Sequence, residues 1–368
     1  MKKFRVGIIG CGAIAGQYLK NAKEVYADYF EIVALGDLNV EKARERAEKY
    51  EISNYGTPDL VYDDPSIDLV INLTVPMAHE EVTCKALECG KHVYSEKPLA
   101  CTREGLDRII ETAKRCGKRV GCAPDSFMSA PMQTAKKALE EDWIGDPIGF
   151  NCMCAMRGNE YWRPDADFFY KKGAGPMFDM AAYYFNALIN FFGPVDSVNS
   201  MQKMTFPERT IKVAPRRGEK IQVEVPTYVT AGLRFENGVL GSFINAFDIW
   251  KTQVPYIEIH GEKGTMVVPD PNRYKGDVLV RRFKDTEWRA LPQFVEYADY
   301  GRGIGIVDMI RCMAEDKPHK ASAEMAKHVT DTILCVDEAA EQGRVVKVQS
   351  TAVKPEGLWL MPETILWK

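Results

Sequence analysis

Arg5-Val-Gly-Ile-Ile-Gly10-Cys-Gly12-Ala-Ile-Ala15-Gly16 is a short apolar run that breaks into glycines and resumes as a helix. Val6, Ile8 and Ile9 suit a buried parallel strand, and Gly10 suits a tight turn. Gly12 removes the side chain that would block a pyrophosphate, and Ala15 keeps the following helix close to the strand. The residues from Gly12 through Ala13 and Ile14 open that helix, whose exposed N–H groups would carry the phosphates. A second strand-like run, Glu31–Gly36, ends on Asp37, where a carboxylate can accept hydrogen bonds from an adenine ribose. No Arg or Lys follows Asp37 until Lys42, so no adjacent cation is read as neutralising a 2′-phosphate. The expected cofactor is NAD in preference to NADP.

A chain of 368 residues, 46% of them hydrophobic, has material for two cores. With 48 basic and 52 acidic residues the balance gives no support for nucleic acid or an anionic membrane surface as partner. Met1-Lys-Lys and the following apolar run imitate a secretory leader, but Gly7, Gly10 and Gly12 interrupt the apolar core. No run approaches the roughly 18 apolar residues of a membrane helix. Ten cysteines outside any compact disulfide framework suit a reducing compartment, and cytoplasmic residence is expected. Cys152-Met-Cys154 is not read as a metal pair, and no metal is expected.

Strands and helices alternate from Met1 to Cys122, the pattern of a parallel sheet with crossover helices. The first helix is read as long, through Gln17–Tyr29. From residue 123 strands dominate: Ile148–Met156, Ser197–Phe206, Thr227–Phe235, Val239–Phe247, Tyr256–His260, Thr265–Val268 and Val278–Phe283, with a hairpin turn at Glu236-Asn237-Gly238. The expectation is an α/β protein of two domains. Residues 1–122 form a doubly wound parallel sheet, and 123–368 an α/β domain with a large, mostly antiparallel open sheet. The helices Met177–Phe192, Gly303–Glu315 and Ala323–Glu341 are read as covering one face of that sheet, leaving the other for self-association.

Two further stretches carry chemistry. Glu96-Lys97-Pro98 directly follows a strand of the first sheet, where ligands of open α/β sheets bind, so Lys97 is expected to point into the cofactor crevice and polarise a substrate oxygen. Gly173-Ala-Gly-Pro-Met-Phe-Asp179 enters a helix at Pro176, placing Asp179 and Tyr183 four apart on one face of an otherwise apolar helix. The loop Met153–Asp167 carries Arg157, Tyr161, Trp162 and Arg163, and reads either as a substrate wall, its aromatic faces suiting the apolar side of a pyranose ring, or as an interface or domain-packing loop; Trp250 and Tyr297 are weaker candidates.

In combination, the glycine turn, Asp37, Thr74-Val-Pro76 with His79, Glu96-Lys97-Pro98 and the glycine-rich loop before Asp179 resemble the Gfo/Idh/MocA oxidoreductases over nearly the whole chain. The resemblance implies NAD(P)-linked oxidation or reduction of a CH–OH group in a sugar, glycoside or cyclitol by a homodimer or homotetramer joined through the C-terminal sheet. It implies catalytic roles for Lys97, Asp179 and Tyr183, and cofactor contacts from Thr74, Pro76, His79, Glu96 and Asp125. Many relatives have histidine where this chain has Tyr183. A phenol is the poorer base near neutral pH and would need a neighbouring cation, for which Lys97 is the candidate. Asp125 stands where relatives often carry Asn or Arg, and would favour a polyhydroxylated substrate over an anionic one. Two other readings of the same fold are a glycosidase acting by transient oxidation and a non-catalytic regulator that senses NAD and sugar.

Overall fold

The computed structural model describes residues 3–293 and 300–358, and two compact units divide them: 3–128 with 300–330, and 129–293 with 331–358. The first unit begins β1 (Phe4–Ile9), α1 (Ala15–Glu24), β2 (Phe30–Gly36), α2 (Val40–Tyr50), β3 (Asn54–Gly56), α3 (Asp59–Asp63) and β4 (Leu69–Asn72). It continues with α4 (His79–Glu88), β5 (His92–Ser95), α5 (Arg103–Cys116) and β6 (Val120–Cys122). All six strands pair in parallel in the order β3-β2-β1-β4-β5-β6. The order reverses between β1 and β4, which is where a doubly wound sheet leaves a crevice at its carboxyl edge. Val6, Ile8 and Ile9 are almost wholly buried, as a central strand requires. The first helix stops at Glu24, short of the expected Tyr29, and β3 and α3 lie in a stretch too short and too polar for periodicity to reveal.

The second unit contains α6 (Ala130–Glu140), β7 (Pro147–Ala155), α7 (Ala182–Phe192), β8 (Val195–Lys203), β9 (Glu208–Thr210), β10 (Lys220–Gln222), β11 (Tyr228–Phe235) and β12 (Leu240–Ala246). These are followed by β13 (Ile257–Gly261), β14 (Gly264–Val268), β15 (Leu279–Arg282) and β16 (Arg289–Ala290). With the later β17 (Val346–Lys347), nine strands order as β16-β15-β14-β13-β7-β12-β11-β8-β17, all antiparallel neighbours except β7 and β12. Phe150, Cys152 and Cys154 alternate onto one face of β7 and are buried, as are Val229, Ala231 and Leu233 of β11. Every residue of α7 is buried. On the opposite face Asn151 bonds Ser242 and His260, and Met201 of β8 is exposed.

Between β16 and β17 lie α8 (Ile304–Ala314) and α9 (Ala323–Gln342), and here the structure corrects the sequence reading. α8 belongs to the first unit, packed beside β6, and does not cover the second sheet. An amphipathic helix records that it has a buried face, not which sheet it buries against. The first unit therefore runs past residue 122 to Met128 and takes back residues from the 300s. The helix read as Met177–Phe192 is also not uniform: Met177–Ala181 forms a single wide π turn ahead of α7.

Candidate active site

In the first unit the glycine turn has the strain pattern its sequence implied. Gly10 sits at φ +100°, and a Cβ there would lie 2.5 Å from the Leu73 carbonyl carbon, so only glycine fits. A Cβ on Gly12 would meet nothing within 4 Å, which leaves that side of the turn open. α1 follows with no acidic residue in its first turn and no side-chain cap on its leading amides, a helix start suited to an anion. Asp37 Oδ2 accepts the Cys11 N–H at 2.7 Å and Oδ1 accepts that of Asn39 at 2.8 Å. Each oxygen of an ionised carboxylate has a further lone pair for a ribose hydroxyl. These residues fit a bound dinucleotide. Burial, and then the Asp37 charge, push the Cys11 thiol up to about 12, so it stays protonated and unreactive beside the turn.

The loops at the carboxyl ends of β4 and β5 are tied together. Buried Asn72, the last residue of β4, accepts from both the amide and the hydroxyl of Thr74 and donates to the His79 carbonyl. The His79 ring, 1% exposed, stands 2.6 Å from the Pro98 carbonyl through Nδ1 and 3.1 Å from the Thr74 carbonyl through Nε2. Burial holds its pKa below the usual range despite both carbonyls, and a neutral imidazole donates to one of them at a time. Pro76 opens the turn between them, its neighbours Val75 and Met77 left exposed.

Glu96 is buried and receives the Tyr18 hydroxyl at 3.0 Å, an Arg302 guanidinium nitrogen at 2.6 Å and the Lys97 amide at 3.1 Å. Burial works against its charge, but Arg302 and Lys97 outweigh it and hold the carboxyl below its ordinary range. Lys97 is half-buried and precedes a cis peptide to Pro98. Asp125, expected at the cofactor, has no exposed surface. Its Oδ2 accepts the Gly303 and Gly305 amides at 2.8 and 3.0 Å, so it anchors the start of α8, and that structural role replaces the expected one.

In the second unit Asp179 lies within the π turn and Tyr183 in the first turn of α7, 7% exposed. A π turn inside a helix recurs at functional sites because it re-aims the side chains around it. The Asn159 side-chain amide donates to Asp179 Oδ2 at 3.5 Å, while Asn159 Oδ1 is buried and meets no hydrogen-bond partner among the described residues. Sequence reasoning missed Asn159, and nothing in a lone Asn within a loop would have found it. Its backbone is fixed from behind: the Tyr170 hydroxyl accepts the Asn159 amide, Tyr170 donates to Glu160, and Arg209 bridges Glu160 to Asp248. Arg209, Glu160 and Asp248 are buried ion partners, and Thr227 also donates to Asp248. The short β9–β10 pair delivers Arg209.

The expected substrate groups divide. Arg157 donates to the Asp248 carbonyl at 3.2 Å and lies over Trp250 at 4.5 Å, a packing role. Arg163 is engaged in a two-point pair with Asp165, while Trp162 is exposed. Tyr297 lies outside the described residues. Among the described residues no His, Cys, Asp and Glu grouping could hold a metal, and no helix is long and apolar enough to cross a membrane.

Comparison with known proteins covers both units. Residues 4–123 match the model of an oxidoreductase family with an NAD-binding Rossmann fold, and residues 132–267 match the Gfo/Idh/MocA C-terminal domain. The chain is 24% identical over 312 residues to the myo-inositol 2-dehydrogenase of Thermotoga maritima, spanning 81% of this chain and 89% of that protein. It is 28% identical over 295 residues to the levoglucosan dehydrogenase of Pseudarthrobacter phenanthrenivorans, covering 73% and 74% respectively. A solved levoglucosan dehydrogenase in complex with NADH and L-sorbose superimposes with a TM-score of 0.80 at 24% identity, over 95% of this chain and all of that one.

Proposed function

The chain belongs to the Gfo/Idh/MocA family of NAD-binding oxidoreductases, and from that premise we propose that it oxidises a secondary alcohol of a sugar, glycoside or cyclitol, reversibly. Bound NAD supplies the hydride acceptor. The protein supplies orientation, charge and a path for the proton. The observation that carries the reading is Lys97: it follows β5 at the carboxyl edge of the parallel sheet, its backbone amide fixed to Glu96 and Glu96 itself fixed from two other elements.

Lys97 hydrogen-bonds the reacting oxygen and stabilises its alkoxide character. Tyr183 takes the hydroxyl proton, directly or through Lys97. Asp179, held by Asn159, orients the acceptor. Gly10, Gly12, Ala13, Ile14 and Asp37 hold the dinucleotide, with Thr74, Pro76, His79 and Glu96 shaping its nicotinamide end. Trp162 offers an exposed ring to the substrate; Arg157 and Arg163 support that loop. The dinucleotide domain is centred on the first unit and the substrate domain on the second, whose open sheet face joins copies into a homodimer or homotetramer. The ten cysteine thiols support residence in the cytoplasm.

The test is NADH formation across free sugars, inositols and glycosides, with NADP run in parallel. Turnover of one polyol class with NAD supports the proposal. NADH binding without turnover on any of them overturns it in favour of a sensor, and aglycone release without net NADH in favour of a transient-oxidation glycosidase.

A further inference from the structure

α2 presents two faces. Arg44 pairs with Glu41 and Glu48 on the solvent side, as a surface arginine does. Arg46 does something else. Its Nη2 donates to the Gly12 carbonyl at 3.2 Å and its Nε to the Cys11 carbonyl at 3.5 Å, while Nη1 would stand 3.4 Å from a Cβ added to Gly16. Two of its nitrogens thus hold the glycine turn, and the third faces the first turn of α1. Its hydrogen-bond partners are carbonyls, among the described residues no carboxylate pairs with it, and it acts on Cys11 as a cation.

The consequence follows from peptide geometry. A trans peptide is planar, with its C=O and N–H pointing in opposite directions. Neither the Cys11–Gly12 nor the Gly12–Ala13 bond is among the cis peptides of the chain. Drawing the Cys11 and Gly12 carbonyls toward α2 therefore turns the Gly12 and Ala13 amides away from it, with the side of Gly12 left open. We propose that Arg46 is a positioning residue for the pyrophosphate of the dinucleotide: it sets the direction of these two amide donors and keeps a positive charge behind them. The inference is independent of which alcohol is oxidised.

The experiment is calorimetric titration of the full chain with NADH, ADP and adenosine, comparing Arg46→Met, Arg46→Lys and Tyr50→Phe with the unaltered protein. Tyr50 donates to the Gly16 carbonyl from the next turn of α2, so Tyr50→Phe loosens the same helix without releasing the two pinned peptides. Arg46→Met should weaken NADH and ADP about 10- to 100-fold, the range of a hydrogen bond to a charged group, and change adenosine less than about twofold. Arg46→Lys, a point donor without the planar fork, should fall between and supplies the test if the methionine variant does not fold. Tyr50→Phe should bind ADP within about twofold of the unaltered protein. ADP and NADH binding unchanged in both Arg46 variants, or adenosine weakened as much as ADP, would overturn the proposal.

Discussion

Arg302 and Glu96 stand 206 residues apart in the chain and 2.6 Å apart in the fold. Their side chains are close to buried, at 12% and 10% exposure, and the carboxylate orders the backbone amide of Lys97. Removing the guanidinium takes the closest balancing charge from a nearly buried carboxylate. Arg302→Met should cost about 3 to 5 kcal/mol of stability, read by chemical denaturation, and should speed hydrogen exchange at Lys97.

Two neighbouring glycines should fail differently. Gly10→Ala forces a methyl against the Leu73 backbone at positive φ, so the variant should lose stability and NADH binding together. Gly12→Ala meets no protein atom, so its melting temperature should stay within about 2 °C while NADH affinity falls at least tenfold. A thermal melt beside a fluorescence titration separates the two.

Lys97→Ala should lower kcat by at least about a thousandfold, the combined scale of charge stabilisation and proton transfer, with NADH still binding. Near-normal turnover would remove Lys97 from the chemistry.

Arg209 holds two buried carboxylates at once. Arg209→Met should destabilise the second unit by about 3 to 5 kcal/mol, and through Glu160 and Tyr170 it should disturb Asn159 beside Asp179. Reduced turnover with intact NADH affinity would report that disturbance; calorimetry and steady-state kinetics on one preparation check both.

The legible part of the sequence was the part whose chemistry is local. Gly10 and Gly12 announce a turn because so few residues tolerate it, and alternating apolar side chains announce β7, β11 and β12 because a one-residue slip would expose them. Arg46 was legible in principle, since Ala43, Arg46, Ala47 and Tyr50 follow the spacing of one inward stripe, but a charged residue there reads as solvated. Asp125 and α8 were misread for a different reason. Each finds its partner far along the chain, and a carboxylate beside a nucleotide motif carries no mark distinguishing a ligand contact from a helix anchor. The π turn at Asp179 was invisible because its sequence is an ordinary apolar helix.

His92 should make stability fall in mild acid. Its Nδ1 accepts the Arg119 amide at 3.0 Å, and burial, then Lys118 and Arg119, lower its pKa to about 4. The unfolded chain binds a proton near pH 6.5 and the folded one does not until about 4, so the contribution is complete above pH 6.5 and is lost as pH falls toward 4. His92→Gln should flatten the melting temperature across that window; an unchanged slope would assign the acid sensitivity elsewhere.

Because the first unit is sewn together from both ends of a long stretch of chain, its completion has a timetable. At about 5 to 20 residues per second, Arg302 is synthesised roughly 10 to 40 s after Glu96. Throughout that interval the nascent sheet holds a Glu96 carboxylate that lacks its Arg302 partner and an Asp125 with no helix to anchor. Final assembly of the nucleotide crevice on the ribosome therefore waits until the first segment of the second unit, residues 129–293, has been made, and a chaperone that shields the half-built sheet has a defined window in which to act.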